Sequence, residues 1–243
     1  MTEEFIKLQA KDIEIGKPLN WAVYDSNGTF LVKQGFVIKS EAQVERLIAR
    51  GAFGKKSELS ATIEEDTPTT QPEKLKDISP FKLLEDVANE LTLTLTKTEN
   101  ITFEVMELVS DIQRACERDA HAAIASLFVL EGSSYPIKHS VDVAVLCALL
   151  AKSRSLSFEQ QNSLIAASLT MNIAMIELQE ILYRQESPLT AKQKEAIQQH
   201  PKQGVLLLRK AGVVDALWLK AVLAHHETIT GTGYPNGLTG SQY

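Results

Sequence analysis

A chain of 243 residues with 44% hydrophobic and 23% charged content and a net charge of −6 has the make-up of an ordinary soluble globular protein of one or two domains. The acidic balance, with no basic cluster interleaved with aromatics, argues against a nucleic-acid polymer as partner. The longest strongly apolar run, residues 143–151, is far short of the roughly 20 residues of a membrane span, and the start MTEEFIK has no apolar signal-peptide core, so no membrane span and a cytoplasmic location are expected.

Residues 1–56 read as a small β-rich module. Asp25-Ser26-Asn27-Gly28 is a hairpin turn between the β-prone runs Trp21–Tyr24 and Thr29–Val32. Gly35 precedes a further short strand, Phe36–Ile38. Ser40 then opens a helix with Gln43 three residues on, the capping-box spacing, and Gly51 closes it. The module carries no chemistry of its own, and a structural or docking role is expected. Residues 57–79 read as an acidic linker punctuated by Pro68 and Pro72. Its acids are Glu58, Glu64, Glu65, Asp66, Glu73 and Asp77, against Lys74 and Lys76, so most of the net charge of −6 resides there. A tract of this kind stays extended and solvated.

From Pro80 onward the periodicity is helical, and residues 80–243 are expected to be all-α. Phe81, Leu84, Val87 and Leu91 recur at three- and four-residue spacing, as do Phe103, Met106, Val109 and Ile112, which marks both sets as core. Gly132 to Pro136 interrupts the pattern, and a helix begins near Ile137. A long helix is expected from about Glu159 to Arg184. Thr190 and Gln193 give a second capping box in the phrase SPLTAKQ, opening a short helix from Ala191 to His200 that Pro201 should end. Two more helices are expected around Gly204–Lys210 and Val213–His226. Cys116 and Cys147 lie singly in helical patterns, without a CxxC spacing, and read as small core residues. The fold class is α+β by segregated domains, a small β-rich N-terminal module followed by an all-α domain.

The chemistry-bearing stretch is Ala224–Gly240, AHHETITGTGYPNGLTG. Adjacent helical side chains point about 100° apart, so the pair His225 and His226 can serve only a wide polar or metal-lined cavity. A turn with Gly231, Thr232, Gly233, Tyr234, Pro235 and Gly237 follows at once, and glycines at that density call for positive φ or close backbone approach. Histidines beside such a loop suggest a metal site that the loop closes over. Among the other histidines, His121 has no partner pattern. His139 shares a helical face with Val143, Leu146 and Leu150 and is expected to point inward. His200 precedes a proline.

HHE followed by GTGYPNGLTG resembles the signature of the HD-GYP family of bacterial signalling phosphodiesterases, over roughly residues 100–243. The resemblance implies an all-α HD-type helical domain, a place in cyclic di-GMP signalling, and metal ligands at His139, His200, His225 and His226. The N-terminal module also resembles the small unit that often precedes HD-GYP domains. The chain departs from the pattern at the element that names the family. Where the family has an adjacent His-Asp pair, in a phrase like ALLHDIGK, this chain reads AASLTMNIAMIEL: Met171 for the His, Asn172 for the Asp, Met175 for a Lys. A two-metal hydrolase needs an anionic ligand shared between ions about 3.5–4 Å apart. Asparagine is neutral, and the Met171 thioether is a soft ligand poorly suited to iron or manganese. Thr228 replaces an Arg that lies near the substrate phosphates in the family, and Thr230 replaces a loop Asp. Threonine cannot supply a bidentate, permanently charged phosphate contact. Family members continue past the position of Tyr243 into a helix with another Asp ligand, so a C-terminal part of the domain is expected to be missing here.

No catalytic residue is therefore expected, the roles being lost at Met171, Asn172, Met175, Thr228 and Thr230. The expected function is that of a degenerate signalling domain, a regulatory or protein-interaction module. Its partner-binding surface would be Gly231, Thr232, Gly233, Tyr234, Pro235 and Gly237, because this loop in the family is implicated in contacts with partners such as diguanylate cyclases. Tyr234 and Pro235 are expected to be exposed, or covered only by neighbouring helix ends. Cyclic di-GMP is a second candidate ligand. No cofactor is expected beyond a single divalent ion (zinc, iron or manganese) on the histidine remnant. The alternatives are an active cyclic di-GMP phosphodiesterase with an atypical metal site, and a sensor that holds a nucleotide or metal without turnover.

Overall fold

The computed structural model describes residues 5–24, 30–32, 34–38, 40–49, 51–55, 78–97, 101–129 and 132–240. The expected turn at Asp25–Gly28 and the linker as far as Asp77 lie outside the described residues. The chain divides into two compact units, Met1–Ile78 and Ser79–Tyr243.

The first unit holds a four-stranded antiparallel sheet made of β1 (Phe5–Lys7), β2 (Val23–Tyr24), β3 (Phe30–Val32) and β4 (Phe53–Lys55), in the order β1-β4-β2-β3. The pairing of β2 with β3, Val23 opposite Val32, is the one the sequence suggests. Strands β1 and β4 carry no sequence signal, since three residues are too few for a period of two to show. Phe36–Ile38 is not a strand; Val37 makes one isolated bridge to Pro18, whose missing N–H limits any longer ladder. Helix α1 (Glu41–Ala49) starts after Ser40, whose Oγ accepts the Gln43 N–H at 3.3 Å. Leu8, Leu19, Trp21, Val23, Leu31, Ile38 and Leu47 are buried together in this unit's core.

The second unit is helical: α2 (Pro80–Thr94), α3 (Thr102–Arg118), α4 (Ala120–Val129), α5 (Tyr135–Ser153), α6 (Phe158–Thr170), α7 (Ile176–Arg184), α8 (Ala191–Lys210) and α9 (Ala216–Ala224). Polar caps fix the starts. Ser79 accepts the Lys82 N–H ahead of Pro80, and reciprocal capping boxes close at Ser157–Gln160 and Thr190–Gln193. Asp215 caps α9 and also accepts the Ser163 hydroxyl of α6 at 2.9 Å, which ties the two helices at one end. Helices α5 and α6 pack along their lengths through small buried residues, Ala144, Ala148 and Ala151 on one and Ala166 and Ala167 on the other. Leu84, Leu91, Phe103, Ile112, Ile165 and Trp218 fill the core. Within the two expected core stripes, Phe81 lies at 36% exposure and Met106 is half-buried. Cys116 is buried and Cys147 half-buried, both as free thiols.

Several helix bounds differ from expectation. Residues 159–184 are not one helix: a turn at Met171–Met175 separates α6 from α7, held by Ile173 N–H to Thr170 O and Met175 N–H to Asn172 O. Conversely Pro201 does not end a helix, and α8 runs through it to Lys210. Helix α9 starts at Ala216 rather than Val213, behind its Asp215 cap. Helix α5 begins two residues before Ile137, with Pro136 in its first turn, where a proline has no amide to lose. A single bridge, Thr230 to Thr239, is the strand-like feature of the region expected to be wholly helical.

Candidate functional site

His200 lies in the middle of α8 and is 2% exposed. In an unbroken helix the amide of residue 201 would bond the carbonyl of Ile197, but Pro201 has no N–H to give. The His200 Nδ1 stands 2.6 Å from that carbonyl oxygen and takes the vacant bond. A carbonyl only accepts, so Nδ1 carries the proton and Nε2 presents a lone pair. His225 repeats the device as the C-cap of α9. Its Nδ1 lies 2.7 Å from the Val222 oxygen, among the terminal carbonyls that a helix end leaves short of partners.

The two Nε2 lone pairs converge, 3.0 Å apart. His226 adds a third ring, 5.1 Å from His200 and 4.2 Å from His225 between centroids. Each of the three offers a ring nitrogen within 4.8 Å of the others. Burial pushes the His200 and His225 imidazoles down to about 4 and lowers His226 as well. At neutral pH all three are therefore uncharged donors of a lone pair. Two nitrogens bound to one ion at ~2.1 Å and about 90° apart stand about 3 Å from each other, so this geometry suits a single divalent ion. Among the described residues no carboxylate joins the cluster. The donor set fits one ion and does not fit a bridged pair.

Three helices converge here. A Cβ on Gly204, one turn after His200, would meet the Met171 carbonyl oxygen at 3.6 Å, Ile173 at 3.7 Å and Val222 at 3.5 Å. The turn after α6 and the end of α9 therefore pack on the face of α8 that carries His200. Trp218 of α9 donates from Nε1 to Thr170 Oγ1 at 2.8 Å, anchoring the residue just before Met171. Met171 and Asn172 are buried in that turn, at 7% and 5% exposure, and Met175 is the N-cap of α7.

His139 is half-buried and lies outside the buried stripe of α5. The buried stripe of α5 is Ile137, Ser140, Val141, Ala144, Val145, Ala148 and Ala151, while Leu146 and Leu150 are half exposed. Helix α5 is apolar on most sides, and the side that is buried is the one whose small residues admit α6. His139 sits half-buried at the flank, its ring near-parallel to Tyr135. It is close enough to lower His225 and His226 by charge, yet it stands outside their group of three. His121 is fully exposed beside Asp119.

The glycine-rich loop folds back on the end of α9. Glu227 organises it: its carboxylate accepts the Asn236 N–H at 2.7 Å and the Leu238 N–H at 2.9 Å. Sequence reasoning missed this role, although the HHE phrase contained the residue. Gly231 and Gly237 have positive φ. Gly233 is required by close approach, since a Cβ there would lie 2.5 Å from the backbone of His226, Glu227 and Thr228. Tyr234 donates its N–H to the His226 oxygen at 3.2 Å and stacks its ring on the His226 imidazole, 4.6 Å between centroids at 21°. It is half-buried, covered by the neighbouring helix end, and its peptide bond to Pro235 is cis. Thr228, Thr230 and Thr232 bring their hydroxyls within 3.0–3.1 Å of one another in an exposed, uncharged triangle. Thr232, Pro235 and Gly237 complete the loop surface, Thr232 exposed and the other two half-buried.

Comparison with known proteins gives a consistent family context. The HD domain family matches residues 106–242. The chain is 28% identical over 141 residues to a cyclic di-GMP phosphodiesterase of Pseudomonas aeruginosa, covering 58% of this chain and 34% of that protein. It is 29% identical over 109 residues to the 3'3'-cGAMP-specific phosphodiesterase 1 of Vibrio cholerae, covering 45% and 25%. Against the cyclic di-GMP phosphodiesterase PdeB of Borreliella burgdorferi it is 27% identical over 107 residues, covering 44% and 28%. The chain thus spans about a third or less of the length of these relatives. A solved structure of an HDG"Y"P protein from Bdellovibrio bacteriovorus shares the fold over 98% of this chain and 82% of that one, with a TM-score of 0.54 and 14% identity. Among the described residues no helix is long and apolar enough to cross a membrane.

Proposed function

Because the chain belongs to the HD domain family, we propose that it is a catalytically degenerate HD-GYP-like module of cyclic di-GMP signalling, retained for regulation and binding rather than turnover. The observation that carries this is the pair Met171 and Asn172, buried in the turn that packs on the His200 face of α8. At that place the family chemistry needs a histidine and an anionic bridge, and a thioether and a neutral amide supply neither. Thr228 likewise leaves the loop without the cationic charge that would meet phosphate, and Thr230 leaves it without the loop carboxylate. A cytoplasmic setting and protein partners at the Gly231–Gly237 loop, diguanylate cyclase domains among them, go with this reading.

The His200–His225 geometry favours a second reading, in which the module senses an ion or a nucleotide without hydrolysing it. His200, His225 and His226 would hold one divalent ion, and the ion would supply positive charge and Lewis acidity to a phosphate oxygen. Both readings meet one test. The purified chain is incubated with cyclic di-GMP or 3'3'-cGAMP and iron, manganese or zinc, and products are separated by chromatography. No linear dinucleotide is expected, and robust metal-dependent release of it would overturn the proposal.

A further inference from the structure

Helix α4 is held by its ends more than by its packing. Asp119 opens it, its Oδ1 accepting the N–H of His121 at 2.9 Å and of Ala122 at 3.0 Å. At the other end the Lys138 ammonium donates to the Leu127 carbonyl at 2.6 Å, one of the acceptors that a helix terminus leaves open. Between these pins Ala123 and Ser126 are buried, both of them small. The Ser126 hydroxyl bonds back to the Ala123 carbonyl at 2.6 Å, so it asks nothing of the neighbouring helices.

The outer face is the anomaly. His121, Ile124, Ala125 and Phe128 recur at three- and four-residue spacing and share one side of the helix, with Val129 continuing it. Phe128 is 83% exposed, Val129 58% and Ile124 40%, and His121 is fully exposed. Residues 120–129 contain no Asp, Glu, Lys or Arg. Helix α7, which has no buried residue at all, carries Glu177, Glu180 and Arg184, as a helix facing water does. An apolar surface on the order of 500 Å², as α4 presents, is close to the largest patch a typical monomer leaves open, and such patches are often functional.

The chemistry of the face narrows its partner. A helix that lies on a membrane couples such a stripe to Lys and Arg, which α4 lacks, in a chain of net charge −6. A charged partner would find no counter-charge on it. A second copy of α4 fits. In an antiparallel pairing about a two-fold axis between residues 124 and 125, Ile124 sits over Ala125 of the second copy, and Phe128 meets His121 of the second copy. The bulkiest aliphatic side chain then opposes a methyl group and each flat ring opposes a ring, the self-complementarity that an isologous contact requires. The face supplies more than half of the ~800 Å² that each partner contributes to a standard interface, which sets the expected affinity in the micromolar range.

We propose that α4 is a self-association surface, through which two copies of the chain pair antiparallel about a two-fold axis between Ile124 and Ala125. The pairing uses neither the histidine cluster nor the glycine-rich loop, and it goes beyond the reading of their function.

The test is sedimentation velocity on the full chain, from low to high micromolar concentration and without added metal. The parent should pass from monomer to dimer across that range. Phe128→Glu should weaken association at least about tenfold, as loss of a central aromatic anchor does. Its circular dichroism should be unchanged, because the ring is exposed. His121→Lys should weaken association as well. The double variant His121→Lys, Phe128→Glu should regain it, because the two-fold axis sets each new ammonium against a new carboxylate. Association of Phe128→Glu as tight as the parent's, or of the double variant no tighter than either single one, would overturn the pairing. So would a parent that stays monomeric throughout: a thermal midpoint lowered by Phe128→Glu would then give the face to another part of this chain, and an unchanged midpoint to a different apolar protein.

Discussion

The Nε2 atoms of His200 and His225 stand 3.0 Å apart while each ring is pinned through Nδ1 to a backbone carbonyl. In those tautomers the contact joins two acceptors, which repel unless a cation lies between them. Burial that holds both groups down to about 4 argues against a shared proton at neutral pH, and a divalent ion bound to both nitrogens would remove the repulsion. Equilibrium dialysis should therefore find one zinc per chain. His200→Ala and His225→Ala should each lower the affinity at least about tenfold, an effect of the size seen when a metal site's support is removed, and the exposed His121→Ala should leave it unchanged. Two ions per chain, or none, would contradict this.

The ion-free protein should lose stability on mild acidification. His200 and His225 have folded values of about 4 against 6.5 for an ordinary histidine, so between those values the unfolded chain binds more protons than the folded one. Their contribution is nil above about 6.5, and it turns progressively against folding as the pH falls through the window toward 4. Each unit of depression corresponds to about 1.4 kcal/mol. Urea midpoints measured from pH 7.5 to 4.5 should fall more steeply for the parent chain than for a His200→Gln, His225→Gln double variant. Parallel curves would show that the rings titrate in the ordinary range.

Rebuilding the missing pair should restore metal before chemistry. Met171→His with Asn172→Asp places a histidine and a carboxylate in the turn that packs beside Gly204. Metal analysis should then rise above one ion per chain, while turnover stays undetectable because Thr228 and Thr230 still lack charge. Prompt appearance of linear dinucleotide in this double variant would mean that the loop charges are dispensable.

The loop offers a way to separate architecture from contact. Glu227→Ala removes the acceptor of two amides, each a charge-assisted bond of about 1.5–3 kcal/mol. Hydrogen exchange at Asn236 and Leu238 should accelerate at least about tenfold while α8 amides keep their protection. Tyr234→Ala leaves that clamp intact, so the melting temperature should hardly change. Affinity for a purified diguanylate cyclase domain should drop if the ring is a contact. A variant that unfolds would make Tyr234 a structural residue and remove the loop's best claim to partner binding.

The segregated α+β architecture was legible because long amphipathic stripes such as Leu84, Val87 and Leu91 carry a strong 3.6-residue period. The turn at Met171–Met175 was not, because apolar residues continue across it and the interruption is set by tertiary contacts, Trp218 on Thr170 among them. The side of α5 that carries Leu146 and Leu150 is not the packed one, because α5 is apolar nearly all round and the small residues of its packed side outrank the larger ones in closeness rather than in hydrophobicity. The grouping of His200, His225 and His226 was legible through resemblance, but the tautomers were not. They depend on which carbonyls lack an amide, a property of the folded backbone.

Pro201 shows what that dependence means for any effort to harden this protein against heat. Replacing it with alanine would return an amide to α8 and remove a residue that is about 3 kcal/mol less favourable inside a helix. The new N–H would also compete for the Ile197 carbonyl and free the His200 ring to turn its other nitrogen toward His225. Thermostability screening would thus favour a substitution that loosens ligand geometry from a position with no ligand atom of its own. A library selected only for survival at high temperature would drift away from the site without touching a histidine.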